Sequence, residues 1–97
     1  MIDREYLVNL YETYKTLLSD REKSYFEYYY FEDYSLNEIA EIFDVSKAYA
    51  SKYINLISKK LDDYEKALEL YSKSKRIKEL LKLIDNNDVK SKIEEIL

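Results

Sequence analysis

The segment Ser35–Leu61, SLNEIAEIFDVSKAYASKYINLISKKL, carries two helix-start signals with a corner between them, and the rest of the chain is arranged around it. Ser35 with Glu38 forms a capping box, in which each side chain answers the free backbone N–H of the other. Leu36, Ile39, Ala40 and Phe43 then recur at steps of three and four, so they share one inward stripe, and Ala40 is small enough for a second helix to approach closely. Asp44 stands at the corner, where Asp tolerates a left-handed backbone better than most non-Gly residues. Ser46 caps a second helix whose buried stripe is Ala50, Tyr53 or Ile54, Ile57 and Leu61. That leaves Lys47, Ala48, Tyr49, Ser51 and Lys52 facing outward near its start, where the recognition helix of a helix-turn-helix meets base edges, with Lys59 and Lys60 beyond them.

The pattern Ser-Leu-x-Glu-Ile-Ala-Glu-x-Phe-x-Val-Ser-Lys over residues 35–47 resembles the last DNA-binding domain of bacterial sigma factors. A closer resemblance is to the YlxM family of sigma-like helix-turn-helix proteins. It rests on Asp44 at the corner, on the lead-in Tyr29-Tyr30-Phe31-Glu32-Asp33-Tyr34-Ser35-Leu36, and on the helical tail from Asp62 to Ile84. The resemblance covers roughly residues 6 to 84. It implies a link to the signal recognition particle pathway, with DNA, the particle's RNA or its protein components as partners. Where that family commonly has Arg followed by Gln, this chain has Lys47 followed by Ala48, which removes two polar groups able to read a base.

Composition points to the same architecture. The chain has 97 residues, enough for one domain with one core, and 46% of them are hydrophobic. Gly and Pro are absent, which removes most hairpin turns and helix breakers, so an all-α fold is expected: a small helical bundle holding the helix-turn-helix, with a long C-terminal helix. Cys and His are absent too, so no disulfide, no Cys or His zinc site, no thiol nucleophile and no imidazole base exists. Neither an enzymatic role nor a cofactor is expected. No basic-then-apolar leader and no apolar run of about 18 residues is present, so a soluble, cytoplasmic protein without membrane insertion is expected.

The net charge of -4 is unevenly spread. Residues 1–45 carry 4 basic and 11 acidic side chains, and residues 46–97 carry 12 basic and 9 acidic. Binding to a duplex draws its affinity from neutralised phosphates, so only the C-terminal half offers a nucleic-acid surface. Its two basic groupings are Lys47, Lys52, Lys59 and Lys60 on the second helix of the motif, and the run Lys73, Lys75, Arg76, Lys78 and Lys82.

Outside the motif, Asp3 or a neighbour starts a helix with Leu7, Leu10, Tyr11, Tyr14, Leu17 and Leu18 on its buried stripe. Ser19 with Glu22 is a second capping box, starting a helix that turns Tyr25, Phe26, Tyr29 and Tyr30 inward. The triplet Tyr28-Tyr29-Tyr30 suggests a base-stacking platform, but successive helical residues diverge, and in a chain with 12 Tyr and no Trp the tyrosines serve chiefly as core filler. Residues 1–61 are expected to form a helical domain and residues 62–97 its tail, one structural unit. In the tail, Asp62-Asp63 reads as a cap or kink, followed by a helix of roughly 35 Å reaching Ile84. Asn87 is placed to cap a short last helix with Val89, Ile93, Ile96 and Leu97 on its apolar face. Ile77, Leu80, Leu81 and Ile84 form an apolar stripe beyond the reach of the main core, which predicts a contact between two copies, a homodimer, rather than cover by the last helix, which folded back over Ile84 and Leu81 shields little more than the end of the stripe.

Overall fold

In the computed structural model, which describes residues 3–97, six α-helices and no strand are present among the described residues. The chain begins with α1 (Arg4–Tyr14), capped by the Asp3 carboxylate accepting from the Tyr6 N–H. Contrary to the sequence expectation, α1 does not carry the stripe on to Leu18. It tightens at Tyr14 into a 3-10 turn, Lys15–Leu17, and Leu18 is extended. The change of backbone lets Leu18 turn into the core while Leu17 stays 50% exposed, and it delivers the chain to the Ser19 cap. Helix α2 (Asp20–Tyr30) starts there, with both arms of its capping box made.

Helix α3 (Leu36–Phe43) starts at the Ser35–Glu38 box, also complete. Asp44 adopts φ 54° and ψ 51°, its N–H directed at the carbonyls of Ala40 and Glu41, while the Val45 N–H reaches Ala40 O at 2.9 Å. This is a Schellman ending built without glycine. Ser46 accepts from the Tyr49 N–H at 3.0 Å and opens α4 (Lys47–Leu68).

Here the structure departs furthest from the sequence reading. Leu61 does not close α4, and Asp62-Asp63 neither caps nor kinks it. Both aspartates sit within the helix as one-turn ion-pair partners, Asp63 with Lys59 and Asp62 with Lys66, each at 2.9 Å. The break comes at Glu69, which takes φ 55° and ψ 27° before α5 (Leu70–Leu81). Glu65 explains the position. Only 5% exposed, its carboxylate accepts from the N–H groups of Tyr71 and Ser72, each at 3.0 Å, and from the Ser72 hydroxyl. Tyr14 Oη accepts from the Leu70 N–H at 3.0 Å and donates to Glu65 at 2.6 Å. The first three N–H groups of α5, which no helix can satisfy internally, are thus all met by side chains from α4 and α1. After α5 the chain turns at residues 82–86, and Asn86 rather than Asn87 caps α6 (Asn87–Glu94) by accepting from the N–H groups of Asp88 and Val89.

The core gathers Leu7, Leu10, Tyr11, Tyr14 and Leu18 with Tyr25, Phe26, Ile39, Ala40, Ala50, Ile54, Ile57 and Leu61. Tyr11 stacks on Phe26 at 4.3 Å and Tyr25 on Phe43 at 4.0 Å between ring centres. The tyrosine triplet splits as helical geometry requires: Tyr28 stacks on Tyr34, Tyr30 leans on Phe26, and Tyr29 meets Tyr30 edge-on. Tyr29 and Tyr30 are therefore half-buried at the rim rather than in the core. The molecule measures 55 × 23 × 21 Å, and its radius of gyration is 17.0 Å. A compact chain of this length has about 12.5 Å.

The stripe expected to pair two copies is divided. Leu81 is only 5% exposed, and a cavity lined by Leu81, Lys82, Lys90, Glu94 and Leu97 lies between α5 and α6. Leu81 is turned into its own chain and is removed from any surface for a second copy, because α6 folds back far enough to shield it. Ile77 and Leu80 remain exposed, Ile84 is half-buried, and Leu83, which the periodicity did not mark, is 78% exposed.

Candidate nucleic-acid interface

The corner at Asp44 fixes how α4 is presented. Ile39 and Ala40 of α3 pack with Ala50 and Ile54 of α4, so the opposite side of α4 near its start faces outward. Lys47, Ala48, Tyr49 and Lys52 are exposed, and Ser51 is half-buried. At about 100° per residue, Lys47, Ala48, Ser51 and Lys52 fall within one arc of the helix. Asn55, which is not among the residues expected from the sequence, falls in the same arc and is exposed. Its spacing of two helical turns from Ala48 was the available signal. A side-chain amide there suits an adenine edge, which offers one acceptor and one donor in the major groove.

Tyr49 departs from this arc. It turns toward α2 and stacks on Tyr53, ring centres 5.9 Å apart.

The lysines expected at this surface do not act as one set. Among the described residues, Lys47 and Lys52 have no carboxylate at ion-pair distance, so their charges are open to solvent. Lys59 pairs with Asp63 at 2.9 Å. Lys60 reaches across to Glu22 of α2 at 3.1 Å. The Glu22 carboxylate bonded to it raises the Lys60 pKa above its ordinary value. Burial pushes Glu22 upward, but bonds from Ser19 and Lys60 outweigh this and hold it below the usual carboxylate range. Lys60 is therefore a clamp between α2 and α4, placed about 20 Å along the helix from Lys47.

A residue with no motif of its own in the sequence also belongs to this region. Arg21, exposed at the start of α2, lies over the rings of Tyr25, Phe43 and Tyr53 at 5.7, 5.9 and 5.9 Å. The polar contact with the Tyr25 hydroxyl holds the Arg21 pKa above its ordinary value. The approach misses hydrogen-bond geometry, and Tyr25 Oη remains unpaired among the described residues. No sequence signal linked Arg21 to α4, because their approach is a tertiary contact.

Ser51 and Asn55 of this arc, with Ile54, also line a groove of about 830 Å³ whose other wall holds Tyr29, Tyr30, Tyr34 and Leu36. Asp3 and Asp33 stand at its edge, and Arg4 bonds the Tyr30 carbonyl and sits 3.6 Å from Asp33. That edge is acidic. The basic tail run is likewise partly answered, Lys73 by Glu69 at 3.9 Å and Arg76 by Glu79 at 3.7 Å. Among the described residues no cluster of metal-ligating side chains forms, and no helix is long and apolar enough to cross a membrane.

Comparison with known proteins agrees with this geometry. The model of the UPF0122 family, described as "Putative helix-turn-helix protein, YlxM / p13 like", matches residues 1–97. A UPF0122 protein of Ureaplasma urealyticum serovar 10 is 39% identical over 93 residues, covering 96% of this chain and 94% of its own length. Another, from Oceanobacillus iheyensis, is 42% identical over 85 residues, covering 86% and 81%. A third, from Mycoplasma capricolum, is 41% identical over 86 residues, covering 89% and 76%. The chain belongs to the UPF0122 family of helix-turn-helix proteins, as its resemblance to YlxM proteins implied.

Proposed function

We propose that this UPF0122 protein binds duplex DNA by laying the start of α4 in the major groove, as a regulatory protein rather than an enzyme. The observation that carries the reading is the pair Lys47 and Lys52, which flank one exposed arc of a capped helix and meet no carboxylate among the described residues. Ser51 and Asn55 supply hydroxyl and amide groups between and beyond them, and Ala48 supplies an apolar contact of the kind that suits a thymine methyl. Binding on this surface is weak and its salt slope shallow, about 0.9 for each phosphate contact, because few cations engage and the net charge is -4.

In this reading the protein works as a homodimer paired through Ile77, Leu80 and the neighbouring Leu83 of the α5 arm, which sets two recognition helices at a fixed spacing. The resemblance to YlxM proteins adds a place in the signal recognition particle pathway, in the cytoplasm. It also supplies the second reading, an accessory factor that binds the particle's RNA or protein without reading DNA sequence, and the small Ala48 in the reading arc favours it. Recovery from a native extract, scored for DNA, the particle's RNA and its GTPase, separates the two. Duplex DNA as the dominant species supports the first, and RNA or GTPase alone overturns it.

A further inference from the structure

The segment that starts α2 holds an arrangement the recognition face does not account for. Four consecutive residues there, Asp20 to Lys23, are charged, and three of them are already paired: Asp20 with Lys23 at 3.8 Å, and Glu22 with Lys60 at 3.1 Å. Arg21 between them is exposed and meets no carboxylate among the described residues. What holds it is aromatic. Its guanidinium lies within 6 Å of three ring centres, Tyr25 from its own helix, Phe43 from the end of α3 and Tyr53 from α4. All three helices of the DNA-facing half therefore meet beneath one arginine.

The faces of these rings attract the guanidinium and hold it in place while it stays exposed to solvent, and its fork of N–H groups matches the oxygens of a phosphate in a bidentate way that Lys cannot reproduce. The position is suitable as well. Tyr53 lies one residue from Lys52, and Tyr49 beside it is exposed on the side of α4 that turns toward α2. A duplex seated on the arc from Lys47 to Asn55 has its flanking backbone on that side.

We propose that Arg21 is a backbone anchor, gripping one phosphate beside the major groove that α4 enters and fixing the register of the recognition helix. The proposal rests on the DNA-binding reading above. Arg21 carries no sequence information and acts alike on every duplex.

The test uses the full chain and two 20-base-pair duplexes of unrelated sequence, with affinity followed by fluorescence anisotropy over a range of KCl concentrations. Arg21→Gln is expected to lower the salt slope by about 0.9, one phosphate contact, equally on both duplexes. An unchanged slope with the fold intact by circular dichroism overturns the anchor while leaving the DNA-binding reading standing. Failure of the unsubstituted chain to bind either duplex at low salt overturns both. If Arg21→Gln melts, the Arg21 Nε–H resonance of the unsubstituted chain decides. A shift on adding duplex supports the anchor, and an unmoved resonance overturns it.

Discussion

Tyr14 and Glu65, 51 residues apart in the chain, bond at 2.6 Å, and between them they satisfy the N–H groups of Leu70, Tyr71 and Ser72 at the start of α5. A buried carboxylate that accepts several bonds is costly to alter, because its donors lose their partner along with it. Glu65→Gln keeps the volume but turns an NH2 group toward those donors. It is expected to lower the unfolding free energy by about 1–3 kcal/mol in urea titration, with the loss concentrated in the α4–α5 junction.

The same carboxylate sets a pH dependence. Burial pushes Glu65 upward, but the bonds from Ser72, Tyr14 and the α5 backbone outweigh it, so its pKa in the folded chain lies below its ordinary value of 4.5. A depressed carboxylate contributes stability that is full above the unfolded value and is lost as pH falls through the folded one. The melting temperature should therefore fall from about pH 4.5 downward, and Glu65→Gln should flatten that part of the profile.

Asp44 at φ 54° bears a left-handed conformation that costs a residue with a Cβ roughly 1–2 kcal/mol. Its negative charge also stands at the negative end of the α3 dipole. Asp44→Gly should be neutral or stabilising by about 1 kcal/mol in a denaturant melt. Clear destabilisation would mean that the Asp44 side chain contributes more than its backbone costs.

Replacing both Lys47 and Lys52 with Ala should weaken DNA binding and reduce the salt slope by about 1.8, since neither meets a carboxylate among the described residues. Replacing Lys59 and Lys60 should leave the slope nearly unchanged and instead lower stability, through the Lys60–Glu22 link between α4 and α2.

For the arm, Ile77→Glu with Leu80→Glu should yield a folded monomer in sedimentation equilibrium, because both side chains are exposed and neither supports the core. An unsubstituted chain that is monomeric at high concentration removes the dimer from the proposed function.

The sequence made the motif legible because its determinants are local. Ser35 with Glu38, Ser19 with Glu22, the stripe of α3 and the tolerance of Asp44 for a left-handed turn all lie within a few residues of one another. The α4–α5 junction was not legible, since it depends on Tyr14 arriving from the far end of the chain, and Asp62-Asp63 imitates a cap while acting as helix-surface ion pairs. Lys59 and Lys60 looked like recognition-face cations because spacing shows which side of a helix a residue occupies, not which carboxylate of another helix waits there. Arg21 is hidden for the same reason, whereas the place of Asn55 on the arc, two turns from Ala48, follows from spacing alone.

Between Lys47 and Leu81, Glu69 is the one residue outside a helix, and glutamate is itself a good helix former. Nothing in the local sequence prefers a bend to a single straight rod, which would span about 50 Å from residue 47 to residue 81. Spin labels at those positions should move apart in Glu65→Ala, and an unchanged separation would place the cause of the bend in Glu69 instead. The bend is thus set by the contacts of Tyr14 and Glu65 with the start of α5. A tyrosine in the first helix holds it, so the heading of the C-terminal arm is governed from the opposite end of the chain.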